Sequence, residues 1–240
     1  MSMNLEEKSW PQVEEYLKSK KHIILPVGST EQHGPTGLIG IDYLSAWEIA
    51  RAVGAKTKTL VAPPLCFGMA LHHMDFPGTI SLTPITYIQV LTEIIQSLYK
   101  HGFNRITLIN GHGGNIAPIT SAFSQVKQGS EQINLKLINW WHLPVVTEQE
   151  KKWYGEENGF HATCGEISVT MHTHPEAYAQ IPPVKKFETT GDRPYWPMGP
   201  TEFRNFFKDG RMGSNPNLSS AEHGKVLFQL AVDSISQNLE

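Results

Sequence analysis

The chain has 240 residues, 40% hydrophobic and 18% charged, with a formal net charge of −3, two cysteines and eleven histidines. A chain of this length supports one or two domains whose core needs no disulfide or structural metal. Mild acidity without Lys/Arg runs argues against a nucleic-acid binder, and no apolar run reaches the roughly 18 residues of a membrane span. The N-terminus lacks a basic-then-apolar leader pattern, and Cys66 and Cys164 make no disulfide framework, so a cytoplasmic location is expected. The histidine excess is what composition leaves unexplained.

Ser9-Trp10-Pro11 opens a short amphipathic helix to about Lys18, with Ser9 at the N-cap and proline in the first turn. His22 to Val27 is a brief apolar run ending at Gly28, the pattern of a buried strand. A helix follows over Leu44 to Ala52, then a second strand over Thr59 to Ala62, stopped by Pro63-Pro64. Thr83-Pro84 begins the clearest helix, with Ile85, Ile88, Leu91, Ile94, Ile95 and Leu98 on its apolar side, and Gly102 ends it. Arg105 to Asn110 is a third strand, Ile116 to about Gln128 a helix capped by Asn115, and Leu135 to Asn139 a fourth strand. Another helix starts near Cys164 and carries Glu166. Residues 181–218, rich in Pro, Gly and aromatics, read as an ordered loop region. Ser219-Ser-Ala-Glu222 reads as a capping box that launches the terminal helix. Short apolar strands alternating with helices predict a single α/β domain over residues 1–240, a three-layer α/β/α sandwich with a mostly parallel sheet. Sites in such sheets form beyond the carboxyl ends of the strands.

The first strand runs into Gly28-Ser-Thr-Glu31-Gln-His33-Gly34-Pro35, with Asp42 following. Residues i and i+2 of an extended segment project to one side, which allows Glu31 and His33 to face one pocket; solvated loop residues are the alternative for both. Asp42, at the start of the next helix, is placed to bridge two cations or to serve only as a cap. The third strand runs into Asn110-Gly-His112-Gly113-Gly114-Asn115, where glycines leave the imidazole projecting into open space. A plain turn or an anion cradle are the alternatives there. The third cluster, His161 through Glu166, pairs a carboxylate with a histidine able to carry a proton. His172 and His174 read as structural residues at a helix end. Cys164 reads as a small buried residue rather than a nucleophile. Together Glu31, His33, Asp42, His112 and Glu166 supply ligands suited to Zn, Mn or Fe, and they are too many for one three-ligand ion. They match a pair of ions that share a carboxylate.

These segments resemble the creatininase (creatinine amidohydrolase) family. The matching residues are Gly28 to Pro35 with Asp42, Phe76 to Leu82, Asn110 to Asn115, His161 to Ser168, Gly210-Arg-Met-Gly213 and Ala221-Glu222. The resemblance implies an α/β/α fold, two divalent ions, hydrolysis of an unusual amide bond and a homo-oligomer, often a hexamer. It implies Glu31, Asp42 and His112 on one ion and His33, Asp42 and Glu166 on the other. In it His161 is the residue that delivers a proton to the leaving nitrogen. Two departures stand out. Gly113 and Gly114 occupy positions that in creatinine hydrolases hold an aromatic residue and a ligating glutamate. Glu157-Asn158 stands where those enzymes carry Trp-Asp. The expected substrate is therefore a small cyclic amide, formamide or related amide other than creatinine, with His72, His73, Gly113 and Gly114 in contact with it. Trp140, Trp141, Tyr195 and Trp196 are further candidates for the pocket wall or for packing. Trimming of a modified peptide, phosphoester hydrolysis and a non-catalytic metal-binding oligomer are the alternatives.

Overall fold

The apolar runs His22–Val27 (β1), Leu60–Val61 (β2), Arg105–Asn110 (β3) and Asn134–Asn139 (β4) pair in parallel as one sheet, ordered β2-β1-β3-β4. The computed structural model describes residues 2–178, 183–185 and 194–239. Its helices are α1 (Trp10–Ser19), α2 (Ile41–Thr57), α3 (Pro84–Lys100), α4 (Ile116–Gly129), α5 (Pro144–Tyr154), α6 (Cys164–Thr173), α7 (Pro200–Phe206) and α8 (Ala221–Gln237).

Strand side chains alternate between two cores, because successive Cβ atoms point to opposite faces. Ile24, Val61, Ile109 and Ile138 pack on one face against α2, α6 and α8 through Ile49, Val53, Val169 and Leu227. Ile23, Leu25 and Leu108 pack on the other against α3 and α4 through Leu91, Ile95, Ile119 and Val126. Burial of each such side chain contributes about 1.5–3 kcal/mol before chain entropy is counted. The expected three layers are present.

Several element boundaries differ from the sequence reading. Helix α2 begins at Ile41 rather than Leu44, which places Asp42 within its first turn. The terminal helix is capped by Ser220, whose hydroxyl accepts the His223 amide at 3.1 Å, one residue later than the expected box. Asn115 makes no side-chain cap for α4. Its amide instead donates to Gly28 O at 2.9 Å and its carbonyl accepts the Met69 amide at 3.1 Å, tying the end of β1 to the next loop. Helix α5 was not expected, since buried Val146 and Tyr154 lie far apart among charged residues. Helix α7 falls inside the predicted loop region, of which 181–182 and 186–193 lie outside the described residues.

Strands β1 and β3 are the central neighbours, with Val27 opposite Asn110. The chain leaves them toward opposite edges, which opens a crevice at their carboxyl ends. The first turn of α2 sits directly on those ends. A Cβ on Gly28 would lie 2.4 Å from Tyr43 N, and one on Gly111 would lie 2.0 Å from Asp42 O. Gly111→Ala is therefore expected to cost about 1–3 kcal/mol of stability. In a chain of this size that lowers the melting temperature by roughly 3–10 °C. Gly113→Ala, with nothing within 4 Å of its added Cβ, is the control and should leave the melting temperature within a degree or so of the parent.

Candidate metal centre

Glu31 and His33 follow β1, Asp42 opens α2, His112 follows β3, and Glu166 occupies the first turn of α6. Their polar ends converge in the crevice, all from residues that are largely buried. Asp42 stands in the middle. Its Oδ1 lies 3.0 Å from His33 Nε2 and its Oδ2 3.0 Å from His112 Nδ1. Glu31 Oε2 is 3.2 Å from His112 Nδ1, and Glu166 Oε1 is 3.9 Å from His33 Nε2. One donor atom each from Glu31, Asp42 and His112 lies within 4.8 Å of the other two, and the same holds for His33, His161 and Glu166. The first set is one the resemblance implies, whereas the second carries His161 where the resemblance implies Asp42, which approaches that set through His33 Nε2; a third set joins Glu31, His73 and His161.

Each histidine is oriented by its other nitrogen. His33 Nδ1 donates to Glu31 O at 3.1 Å, and His112 Nε2 donates to Met69 O at 3.0 Å. The nitrogens facing Asp42 are left for an ion, the usual arrangement for metal-ligating imidazoles. A Cβ at Gly114 would come within 2.4 Å of both His112 Nε2 and Met69 O, so glycine there makes room for that bond. Glu166 is held by a capping box. Its Oε1 accepts the Thr163 amide at 2.5 Å while Thr163 Oγ1 accepts the Glu166 amide at 3.2 Å.

The chemistry of this donor set fits divalent cations. Among the described residues, Glu31 Oε1 and Oε2, Asp42 Oδ2 and His33 Nε2 are buried without a partner in hydrogen-bond geometry. Buried carboxylates without such partners are costly unless a cation or proton offsets them. In the absence of an ion the protein meets this cost with protons. Burial disfavours the His33 imidazolium, yet Asp42, with Glu166 and Glu31, outweighs it and raises its pKa to about 10. Burial likewise opposes charge on His112, while Glu31 and Asp42 carry it well above the ordinary histidine value. Asp42 stays below the usual carboxylate range, since His33 and His112 overcome its burial. Burial pushes Glu166 up to about 7, against the pull of His33.

A cavity of about 680 Å³ opens onto these groups, lined by Asp42, His112, His161 and Glu166 at its base and by Gly113, Trp141, His142, Glu150 and Phe160 toward its mouth. Of the residues expected to meet a substrate, Gly113 lines this wall, whereas His72, His73 and Gly114 stand outside it. His73 is buried behind Glu31, its ring stacked on His161 at 4.3 Å, and His72 packs against Trp196 and Phe203. Trp140 is in the core and Tyr195 is exposed. The Cys164 thiol is buried against Glu157 O and Asn215 O, and burial raises it to about 12. His174 caps the end of α6.

Two participants were missed by sequence reasoning. Gln32 lies between Glu31 and His33 but points away from the ion-facing side, so no ligand pattern marks it. Glu150 belongs to the unexpected α5 and reaches the cavity only because a Cβ is missing at Gly165, where it would lie 1.7 Å from Glu150 Oε1.

The sequence pattern of the family described as Creatininase, creatinine amidohydrolase, matches residues 6–239. The chain belongs to the creatininase family. A 3-dehydro-scyllo-inosose hydrolase of Thermotoga maritima is 35% identical over 175 residues, 69% of this chain and 54% of that protein. A mycofactocin precursor peptide peptidase of Mycolicibacterium smegmatis is 35% identical over 44% of each chain. A creatinine amidohydrolase of Pseudomonas putida is 29% identical over 53% of this chain and 54% of that one. The chain spans about half the length of these curated relatives in the matches. Among solved structures, a manganese creatininase superposes with a TM-score of 0.87 over 100% of this chain and 98% of its own, at 24% identity. A Zn–Zn form of a creatininase mutant gives 0.85 over 100% and 97%, also at 24% identity. At that identity these creatininase structures establish the fold.

Two pH dependences follow from the centre. His33 and His112 must surrender protons to expose the lone pairs an ion needs, so ion binding to stripped protein releases protons. Apparent Mn²⁺ affinity should fall about 10-fold per pH unit for each proton released, as pH drops below about 10. Calorimetry in buffers of different ionisation heat reads that release, and a pH-independent affinity would contradict it. Glu150 is raised to about 8 by burial and then by Glu166, above its unfolded value. Its favourable contribution is complete below the unfolded pKa and is lost as pH rises toward 8. In chelator-treated protein, Glu150→Gln should therefore raise the melting temperature at pH 8.5 and change it little at pH 5.

Proposed function

We propose that this creatininase-family protein is a dinuclear metal-dependent amidohydrolase that cleaves a C–N bond of a small cyclic amide, formamide or related amide. The observation that carries this reading is the set of buried, unpartnered carboxylate and imidazole atoms grouped about Asp42 at the ends of β1 and β3. Glu31, Asp42 and His112 hold one ion; His33, Asp42 and Glu166 hold the other. Divalent ions bound there supply Lewis acidity toward the scissile carbonyl and lower the pKa of water. Zinc and manganese are the first candidates, being the ions of the Zn–Zn and manganese creatininases, and iron suits the same donors.

His161 is the residue that moves the proton. Its Nδ1 lies 3.7 Å from Glu31 Oε1, and burial, with His33 nearby, holds the ring well below the ordinary histidine pKa. A neutral imidazole at the base of the cavity takes a proton from water and passes it to the departing nitrogen, which leaves as a neutral amine rather than an amide anion. Trp141, Phe160, His142 and Gly113 form the wall against which the rest of the substrate rests. Gly113 and Asn158, one from each position of departure, line this cavity, which therefore lacks there the groups that suit creatinine.

The likeness to a mycofactocin precursor peptide peptidase favours short modified peptides as a second substrate class. The likeness to an inosose hydrolase adds cyclic polyol ketones to the compounds worth screening. We place the protein in the cytoplasm, with both cysteines free, and read it as one domain that forms a homo-oligomer, in the manner of the family's hexamers. Exposed Trp10, Ile85 and Phe160 support such contacts. Among the described residues no helix is long and apolar enough to cross a membrane.

Metal analysis combined with a screen of lactams, hydantoins, formamides and short peptides tests the proposal. Asp42→Asn should lose both bound ions and turnover. His161→Ala should keep the ions and lose roughly 10²–10⁴-fold in kcat. Full activity after exhaustive chelation would overturn the metal-dependent reading.

A further inference from the structure

Glu31 and His33 send their side chains toward the metal centre, and Gln32 between them faces the opposite way. Its amide has one possible orientation. Oε1 accepts the Gly34 amide at 2.8 Å, and Nε2 donates to Gly210 O at 3.0 Å. Reversing the amide would set N–H against N–H and carbonyl against carbonyl. The same NH₂ group faces His73 Nδ1 at 2.8 Å, which must therefore accept. His73 then carries its proton on Nε2, 3.4 Å from Glu31 Oε1.

The neighbouring imidazole obeys the same logic. His161 Nε2 lies 2.7 Å from the backbone carbonyl of Gln32, an oxygen that only accepts. His161 is thus protonated on Nε2, and its unprotonated Nδ1 faces the centre near Glu31 Oε1. The two amide hydrogens of Gln32 are taken by His73 and Gly210, so its 3.0 Å contact with His161 Nε2 carries no hydrogen bond. The rings of His73 and His161 stack at 23°, and Phe203 closes the layer edge-on at 4.6 Å. Gly210, at φ +86°, leaves the space for Gln32, since a Cβ there would lie 1.9 Å from Gln32 Oε1.

We propose that Gln32 is a positioning residue that locks two rings into their Nε2–H tautomers, His73 through its side-chain amide and His161 through its backbone carbonyl. His161 then exchanges protons with substrate through Nδ1 alone, and His73 turns its Nε2–H edge toward Glu31 Oε1, 3.4 Å away, an electrostatic contact that favours the carboxylate form of that ligand. The inference rests on the reading of Glu31 as a ligand and of His161 as the proton carrier. It goes beyond that reading in naming the reactive nitrogen and the group that selects it. In metal sites such outer partners set both ring orientation and ligand basicity.

Histidine-selective ¹⁵N NMR of the Zn²⁺-loaded protein tests this, with ring signals assigned through His73→Gln and His161→Gln. The wild type should show Nε2 protonated and Nδ1 unprotonated on both rings. In Gln32→Glu the new carboxylate accepts from His73 Nδ1, so His73 should move to the Nδ1–H or doubly protonated form. Zn²⁺ affinity should fall about 10–100-fold with it. Gly210→Ala, which displaces the amide without altering its chemistry, should shift the same His73 signals. A wild-type His161 protonated on Nδ1, or a His73 tautomer unchanged in both variants, would overturn the proposal. The wild-type spectrum decides the matter even where neither variant folds. Failure of the metal reading would show separately as wild-type protein that takes up no zinc, and the tautomers of the as-purified protein would still report on Gln32.

Discussion

Three carboxylates, Glu31, Asp42 and Glu166, approach one another in a crevice from which water is largely excluded. Each ion removed from water carries a desolvation cost of several kcal/mol, and like charges at this range add to it. The fold can keep them there only with positive charge among them, whether protons on His33 and His112 or divalent cations. That requirement gives the surrounding architecture its sense. Glycines at the ends of β1 and β3 let the first turn of α2 settle onto the strands. Asp42 can then present one oxygen to each histidine.

The candidate ligands are held by bonds from the surrounding backbone, which for His33 and His112 leave the nitrogen facing Asp42 alone. Backbone carbonyls of Glu31 and Met69 orient His33 and His112, a capping box orients Glu166, and Asn115 binds the end of β1 to the loop that carries Met69. Behind them lies a stacked layer of His73, His161 and Phe203, closed by the loop at Gly210. That loop is itself braced by buried Arg211, which reaches Asp209 and Ser214 O. Rigid elements therefore carry the chemistry. The cavity mouth is built differently, from α5 and the turns around Trp141 and Phe160, where apolar anchoring is sparse.

Much of this was legible in the chain. The four strands read as short apolar runs, and the donors announced themselves because strand ends rich in glycine carried Glu, His and Asp together. Glu31, His33, Asp42, His112 and Glu166 all meet where the pattern expected. Helix α5 escaped because its two buried apolar residues are too far apart to produce a periodic face. Glu150 escaped with it. His72 and His73 looked like pocket residues because histidine is polar, yet a short 3₁₀ turn, Leu71–His73, carries them behind Glu31.

By itself the sequence determined the layers, the strand ends and the identity of the candidate ligands, since hydrophobic period and glycine placement are local properties that any fold must respect. Only the tertiary structure decided that Asp42 lies between the two histidines, that Gln32 faces inward onto His73 and Gly210, and that Glu150 joins the cavity. Those relations join residues 31 to 42, 32 to 210 and 150 to 165. They depend on how the first turn of α2 seats on the strands and on close backbone approaches that no linear spacing encodes.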